Sequence, residues 1–249
     1  MSPVEPLVHL TAGLAGAAGA AAVGAAAVAL GYASVNPRSS FFGPVIWKGP
    51  SSANAVALSF DDGPHPRFTP KVMVELAKRN AHATFFCVGR EVDAYPALAR
   101  EVLAAGHQLG NHTYSHGLGA DLFSERRLTE DLRRCQDSLA KVIGAAPRYY
   151  RPAVGVRNPA VHAAARNLGL TVVTWTHAAR DGAWPLSNRR ARTLGNATRA
   201  GDIVTLHDGT IRVPDSRREG TLAHLPALLD LVCGAGFRLV TLDALLAGG

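Results

Sequence analysis

Val56-Ala57-Leu58-Ser59-Phe60-Asp61-Asp62-Gly63-Pro64 is a short apolar run that ends in two carboxylates and a turn. A run of this length bounded by Gly and Pro is typical of a buried strand. Seven β-type runs occur along the chain: Val56–Phe60, Thr84–Val88, Gln108–Asn111, Arg148–Arg151, Leu170–Trp175, Ile203–Leu206 and Arg238–Leu242. Helical patterns alternate with them, which predicts an α/β fold with a parallel sheet and crossover helices. We therefore expect a distorted (β/α) barrel of about seven parallel strands.

Signals for helix ends support this alternation. Thr69 as an N-cap and Pro70 at the first helical position begin one pattern, which ends near Asn80. The other patterns are Pro96–Ala105, Ser124–Ile143, the segment opened by Asn158-Pro159 and Leu222–Cys233. Each of these four is followed by a glycine, the residue that most often terminates a helix. The chain shows no sign of a second domain or an internal repeat.

Residues with catalytic chemistry follow the predicted strands at their carboxyl ends. They are Asp61 and Asp62 after the first strand, His112 after the third, Arg151 after the fourth, Asp181 beyond the fifth and His207 after the sixth. Barrel enzymes build their active sites at this face. The sequence therefore predicts that these side chains meet in one site.

Asp62, His112 and His116 supply one carboxylate and two imidazoles, the ligand set of a catalytic zinc site with an open fourth position. The four-residue spacing of the two histidines puts both on one side of a helical turn. Asp61, beside the liganding carboxylate, is left free to act as a base. Taken separately, the acidic pair is also typical of a solvated turn, and the histidine pair is typical of an exposed or satisfied core pair.

The N-terminal segment differs in composition from the rest. Residues 6–37 contain no Asp, Glu, Lys or Arg, and Ala and Gly dominate them. We predict three parts: a hydrophobic N-terminal helix and membrane anchor over residues 1–36, a linker over residues 37–53 and a catalytic domain over residues 54–249. A length of this kind spans a bilayer. A cleaved signal peptide and a soluble Ala-rich helix are the alternatives.

The net charge of +7 favours anionic surroundings such as phospholipid or a phosphorylated glycan. The chain has no recognised nucleic-acid motif, so we expect no nucleic-acid partner. The three cysteines, Cys87, Cys135 and Cys233, are too few and too scattered for a disulfide framework.

Over about residues 54–246 the chain resembles the polysaccharide deacetylase family, the NodB-homology domain of carbohydrate esterase family four. Five motifs carry the resemblance in order: residues 59–64; residues 112–116, preceded by the family-like residues 106–111; residues 151–155; the stretch from Trp175 to Asp181-Gly182; and Leu206-His207. Together they form a highly specific set.

The chain departs from the family pattern in two places. The third motif commonly reads Arg-Pro-Pro-aromatic-Gly, and here Ala153 and Val154 replace the second proline and the aromatic residue. The fourth motif commonly has Trp after its aspartate, and here Gly182 follows, with Trp184 two residues later. Both changes lie where the family contacts sugar, so they affect the substrate more than the chemistry.

The resemblance implies a divalent metal held by Asp62, His112 and His116, with Zn²⁺ expected and Co²⁺ as the alternative. Such a metal polarises the substrate carbonyl and lowers the pKa of a bound water. The resemblance also implies that Asp61 accepts the proton of the attacking water and that Arg151 orients Asp61.

The same resemblance assigns His207 as the acid that protonates the departing amine, with Asp181 tuning it. It implies that the backbone N–H of Val154 helps to bind the oxyanion. Trp175 and Leu206 would line the acyl pocket, although residues of these types in a barrel are more typical of the core.

We therefore expect a metal-dependent hydrolase that removes an N-acetyl or similar N-acyl group from an amino sugar in a glycan or lipid-linked sugar. The alternative is a non-catalytic glycan-binding relative of the same fold. A third hypothesis is an unrelated zinc phosphoesterase, but no sequence motif supports it. Membrane anchoring would place a single-pass protein with its catalytic domain in the cell envelope. Arg38 and Lys48 follow the apolar segment, and by the positive-inside rule they leave a cytoplasmic orientation open.

Overall fold

The computed structural model describes residues 21–117, 123–211 and 213–248. Its strands are β1 (Ala55–Asp61), β2 (Thr84–Cys87), β3 (Gln108–Asn111), β4 (Tyr149–Tyr150), β5 (Thr171–Val172), β6 (His177–Ala178), β7 (Ile203–His207) and β8 (Arg238–Val240). Seven of them form one path in the order β5-β4-β3-β2-β1-β7-β6, and β8 pairs with β1 outside this path. Every strand pairing is parallel. The predicted α/β fold with a parallel, barrel-like sheet is confirmed.

Strand β1 lies at the centre of the sheet. It pairs with β7 over Ala57–Asp61, with β2 over Ser59–Asp61 and with β8 over Ala55–Ala57. All of its residues are buried, because both faces of a central parallel strand are covered. The apolar run that opened the sequence analysis is therefore the strand on which the sheet is assembled.

The helices are α1 (residues 21–35), α2 (Thr69–Ala77), α3 (Gly89–Ala94), α4 (Pro96–Ala104), α5 (Glu125–Ile143), α6 (Pro159–Asn167), α7 (Asn188–Ala197), α8 (Asp215–Gly234) and α9 (Leu242–Leu246). Asn158 caps α6 as predicted, because its side chain accepts a hydrogen bond from the Val161 N–H at 3.0 Å. Thr69 does not cap α2. Its hydroxyl is fully buried and donates to Asp208 instead.

Four elements were not expected from the sequence: β6, α3, α7 and α9. Strand β6 has two residues and no apolar alternation, so it carries no strand signal of its own. Helix α8 begins at Asp215, seven residues before the predicted Leu222. Its first two turns are polar, and they are helical because two of their polar side chains are buried against the sheet ends.

Residues 45–49 run from the β5 end of the seven-strand path to the start of β7. Ile46 forms a parallel bridge with Val173 beside β5, and Lys48 forms an antiparallel bridge with Asp202 beside β7. The Ile46 N–H donates to Val172 O at 3.0 Å, and the Thr174 N–H donates to Ile46 O at 2.8 Å. We call residues 45–49 the closing segment.

The prediction of a membrane anchor was wrong. Among residues 21–117, 123–211 and 213–248 there is no helix with the length and apolar character that a bilayer crossing requires. The physical reason lies in the composition, because Ala and Gly supply little transfer free energy per residue. Residues 1–20 of the predicted segment lie outside the described residues. The end of α1 is attached to the domain by Arg157, whose backbone N–H donates to Ser34 O at 2.9 Å.

Candidate active site

A cleft of about 510 Å³ opens at the carboxyl ends of the central strands. Its walls carry five of the predicted catalytic and metal-binding groups, namely Asp61, Asp62, His112, His116 and His207. The parallel arrangement explains this convergence, since the carboxyl ends of all strands meet at one face.

Asp62, His112 and His116 form a compact buried group. Their potential ligand atoms all lie within 4.8 Å of one another. Asp62 Oδ1 is 3.5 Å from His112 Nε2 and 3.3 Å from His116 Nε2. His112 Nδ1 lies 2.8 Å from the carbonyl oxygen of Arg151, which can only accept, so the hydrogen is on Nδ1 and Nε2 is available as a ligand.

The spacing of the two histidines had predicted a helical turn, but the structure does not have one there. They are joined by an irregular loop in which Thr113 and His116 have left-handed backbone angles, φ 68° and 51°. The loop is held by side chains: Asn111 Oδ1 accepts from the Thr113 N–H at 2.8 Å, and Asp131 of α5 accepts from the Tyr114 N–H at 3.1 Å. These bonds compensate for the backbone strain, which is common at binding sites.

This group fits a divalent cation. Within the described part of the chain, Asp62 Oδ1 is a buried acceptor without a hydrogen bond of ordinary geometry. It faces two imidazole nitrogens, and one carboxylate with two imidazoles is a typical zinc donor set. Burial alone would raise the pKa of Asp62, but the nearby imidazoles of His112 and His207 lower it to about 2. The carboxylate is therefore charged and ready to ligate.

Asp61 is placed beside this group by a fully buried arginine. Arg151 Nη1 donates to Asp61 Oδ1 at 2.8 Å and to Ser59 Oγ at 2.7 Å. The other carboxylate oxygen, Asp61 Oδ2, accepts from Thr205 Oγ1 at 3.2 Å. These contacts fix the carboxylate orientation next to Asp62, as sequence reasoning had anticipated for Arg151 but not for Thr205.

The Arg151 guanidinium is itself held in an apolar setting. Its second nitrogen donates to Thr174 O at 3.0 Å, and its central carbon lies 4.0 Å from the Phe86 ring centroid. Burial lowers the pKa of Arg151, while the charge of Asp61 acts in the opposite sense. Because a guanidinium keeps its proton even so, the pair is a rigid, buried ion pair.

On the opposite wall, His207 is paired with Asp181. His207 Nδ1 lies 2.8 Å from Asp181 Oδ1, and the His207 backbone N–H donates to Asp181 Oδ2 at 3.1 Å. Burial by itself would lower the pKa of His207, but the charge of Asp181 and its hydrogen bond raise it to about 9. The imidazole is therefore protonated at neutral pH, with Nε2 left for the cleft.

Two residues of α8 that sequence reasoning missed hold Asp181. Arg218 Nη1 donates to Asp181 Oδ2 at 2.9 Å and Nη2 donates to Asp181 O at 2.9 Å, while Thr221 Oγ1 donates to Asp181 Oδ2 at 2.8 Å. Both side chains are buried. In the sequence Arg218 lies within the charged run Arg217-Arg218-Glu219, which resembles a solvated helix face. No local signal in the sequence distinguishes it from the other members of the run.

We expect the His207–Asp181 pair to make stability depend on pH. Folding raises the pKa of His207 from 6.5 to about 9, so the folded chain binds this proton more tightly than the unfolded chain. The stabilisation is complete below pH 6.5 and is lost as the pH rises through about 9, and it amounts to about 3 kcal/mol. Thermal unfolding of metal-stripped protein between pH 6 and 10 measures it. His207→Gln should remove this slope, and His224→Gln, on the outer part of α8, should retain it.

The three predicted substrate-contact residues lie in different places. Val154 is at the rim, 61% exposed, with φ 50°, and Trp175 lines the cleft. Leu206 does not reach the cleft. It is fully buried in the core below the sheet, because side chains alternate along β7 and those of Thr205 and His207 take the cleft side.

A close backbone approach joins the end of β7 to the Asp62 turn. The Gly209 N–H donates to Asp61 O at 3.3 Å. A Cβ atom at Gly209 would lie 2.0 Å from the Asp62 carbonyl oxygen. Only glycine is compatible with this contact.

Gly209→Ala is therefore expected to displace Asp62 and to destabilise the fold by about 1–3 kcal/mol. Zinc affinity should fall with it, as measured by competition with a chromogenic chelator. Gly234→Ala, at the end of α8, is the matched control because a Cβ atom there meets nothing within 4 Å. Equal stability and zinc affinity in the two variants would contradict the prediction.

Comparison with known proteins gives a consistent assignment. The sequence model described as polysaccharide deacetylase matches residues 48–173. Peptidoglycan-N-acetylglucosamine deacetylase of Bacillus cereus is 35% identical over 206 residues, which cover 82% of this chain and 93% of that protein. Chitooligosaccharide deacetylase of Sinorhizobium fredii is 33% identical over 200 residues, or 75% of this chain and 89% of that protein. The crystal structure of the Bc1960 peptidoglycan N-acetylglucosamine deacetylase, in complex with 4-naphthalen-1-yl-N-oxidanyl-benzamide, superposes with a TM-score of 0.70 at 26% identity and covers 82% of this chain and 92% of that one.

Proposed function

The chain belongs to the polysaccharide deacetylase family, and from this premise we propose that it hydrolyses the N-acetyl group of an amino sugar in a glycan. The observation that carries the proposal is the cleft itself. It combines a group that fits a divalent cation, an oriented carboxylate and a protonated imidazole around one space. Amide hydrolysis needs an activated water, a stabilised oxyanion and a proton for the amine, and these groups match those needs one by one.

Asp62, His112 and His116 would hold a divalent metal, Zn²⁺ with Co²⁺ as the alternative. When bound there, such an ion supplies Lewis-acid polarisation and an acidified water. The chain's own part is to present Asp62 in its charged form and to fix the tautomer of His112 through the Arg151 carbonyl. The three potential ligand atoms already lie within 4.8 Å of one another, so the side chains are gathered before an ion binds.

Asp61 is the proton acceptor in this proposal. Arg151 and Thr205 occupy its two carboxylate oxygens in fixed directions, which aims the remaining lone pairs at the cleft. A base that is held in position loses no entropy when it meets the attacking water. Transfer of one proton from that water to Asp61 accompanies attack of the water oxygen on the amide carbon.

His207 is the proton donor. Asp181 keeps its Nδ1 side engaged, so the proton on Nε2 is the one that faces the cleft. After attack, the carbon–nitrogen bond breaks and the amine nitrogen takes the Nε2 proton. A pKa raised to about 9 lies near that of an amine, so this transfer is close to balanced.

The remaining wall residues receive smaller roles. The backbone N–H of Val154 would contribute to oxyanion binding, a role that does not depend on its side chain. Trp175 would limit the acyl pocket. The Trp175 ring packs closely against Gly155, where a Cβ atom would lie 2.3 Å from the ring. This contact holds Trp175 in place. Leu206 has no part in the proposal because it lies in the core.

The experiment is acetate release by the full-length chain from N-acetylated chitooligosaccharides and peptidoglycan fragments. The protein is stripped with a chelator and then titrated with Zn²⁺ or Co²⁺. We expect activity that is absent without metal and saturates at one equivalent. If the metal binds and the glycans bind but no acetate appears with any of them, the chain is the non-catalytic glycan-binding relative and the hydrolase assignment fails.

A further inference from the structure

The cleft has an aromatic wall that the mechanism does not use. Trp184 lines the cleft and is 59% exposed. It belongs to a tight loop of residues 180–184, in which the N–H groups of Ala183 and Trp184 both donate to Arg180 O at 3.1 Å. We call this the 180–184 loop.

The 180–184 loop is firmly attached, so the exposure of Trp184 does not result from a loose segment. Arg217 of α8 donates to the Gly182 carbonyl. On the far side, Leu186 is buried, and Pro185 packs so closely on α8 that a Cβ atom at Gly220 would lie 3.0 Å from it. An indole held rigidly at the wall of a cleft is a ready surface for the apolar face of a sugar ring.

Gly182 leaves space in front of His207. A Cβ atom at this position would lie 3.0 Å from His207 Cε1 and 3.1 Å from Nε2. The absence of a side chain opens the route from the proton donor to Trp184. His207, Gly182 and Trp184 all line the same cleft, so a glycan whose reacting amine faces His207 would have Trp184 available to its next sugar ring.

Arginines surround Trp184 without acidic partners. Arg180 lines the cleft beside it, and the Arg190 guanidinium carbon lies 5.9 Å from the Trp184 ring centroid. Residues 182–201 include four arginines and no Asp or Glu. In the described part of the chain, neither Arg180 nor Arg190 forms an ion pair.

The acidic residues in the first turns of α8 are already paired with another arginine. Asp215 and Glu219 both pair with Arg67, at 2.7 and 2.5 Å. Asp181 is buried and engaged by His207 and Arg218. The wall around Trp184 therefore carries uncompensated positive charge, and guanidinium groups are suited to bind carboxylate or phosphate oxygens in pairs.

We propose that Trp184, Arg180 and Arg190 form a subsite for a neighbouring sugar residue that carries an anionic substituent. The sugar ring stacks on Trp184, and its carboxylate or phosphate is bound by the two guanidinium groups. This inference rests on the proposed function, because the reaction at His207 determines in which direction the glycan lies along the cleft. It makes the substrate class an anionic N-acetylated glycan rather than a neutral one.

The test compares three tetrasaccharides on one backbone: N-acetylchitotetraose, its form oxidised to a carboxylate at C6, and its form phosphorylated at C6. KM and kcat are measured for the zinc-loaded full-length protein and for Arg180→Gln, Trp184→Ala and Arg100→Gln. Arg100 is exposed on α4 and outside the cleft, so its variant is the matched control for loss of one charge.

We expect the wild-type protein to prefer an anionic tetrasaccharide, and the preference to weaken in 1 M NaCl. Arg180→Gln should raise KM for that tetrasaccharide by about three- to tenfold with little change for the neutral one. Trp184→Ala should raise KM for all three by about tenfold, and Arg100→Gln should change none. The carboxylate and phosphate arms show which anion the subsite prefers.

Equal KM values for neutral and anionic tetrasaccharides in the wild-type protein would overturn the inference, as would equal effects of Arg180→Gln and Arg100→Gln. If no tetrasaccharide releases acetate, calorimetric binding of the same three compounds tests the subsite, while acetate release from the peptidoglycan fragments still tests the proposed function. Anion-selective binding that Arg180→Gln abolishes would then support the subsite, and unselective binding or none would refute it.

Discussion

Asp61→Asn is expected to lower kcat by about 10²–10⁴, the usual contribution of a general base. Asparagine keeps the size of the side chain and can still accept from Arg151, so the fold and the ion-binding group should survive. What is lost is the proton acceptor that Arg151 and Thr205 hold toward the cleft. Acetate release under saturating glycan measures the effect, with zinc content determined on the same sample.

Asp230→Asn is the control for this substitution. Asp230 is an exposed carboxylate of α8 whose contact is an ion pair with Arg79, so kcat should not change. A near-normal kcat in Asp61→Asn with zinc bound would remove Asp61 from the mechanism. A fall in kcat that accompanies loss of zinc would instead assign Asp61 to metal binding.

His116→Ala is expected to abolish most activity through loss of the metal. Removing a residue that merely supports a metal ligand commonly costs 10–100-fold in affinity, so loss of a ligand itself should cost at least about a hundredfold. Competition titration should show a lower zinc affinity in this variant than in the wild-type protein. Activity should return in part at high zinc concentration. Circular dichroism and the melting temperature of the metal-stripped protein check that the fold persists.

His224→Ala separates this effect from the general loss of a histidine. His224 lies on α8, away from the cleft, and its variant should keep zinc affinity and activity. Stoichiometric zinc at unchanged affinity in His116→Ala would show that His116 is not a ligand.

The general architecture was accessible from the sequence because parallel strands impose a simple rule. Apolar runs such as β1 and β7 can be recognised as strands from their composition. In a parallel sheet the polar residues that follow these runs all lie at the same edge, where the carboxyl ends of the strands meet. The sequence alone therefore predicts that Asp62 and His207 lie close together. The distance between their positions in the sequence is irrelevant once the strand order is parallel.

The supporting residues could not be found in this way, because their signals point elsewhere. Asp131 and Arg218 lie in helices among many charged residues, and only the packing of α5 and α8 against the strand ends half-buries Asp131 and buries Arg218. Thr69 has the sequence context of an N-cap, yet burial beside Asp208 redirects its hydroxyl. The prediction of a helical turn between His112 and His116 was wrong for a related reason. Hydrogen bonds to the side chains of Asn111 and Asp131 hold this segment as an irregular loop, although the spacing of the histidines suggests a helix.

The closing segment has a consequence for solubility. It covers the backbone of Val172 and Thr174 with hydrogen bonds that no other strand supplies. A version of the chain that begins at residue 54 would leave this edge bare, and bare edges invite pairing between molecules. Such a shortened protein is expected to self-associate into β-paired aggregates, even though every catalytic side chain would still be present.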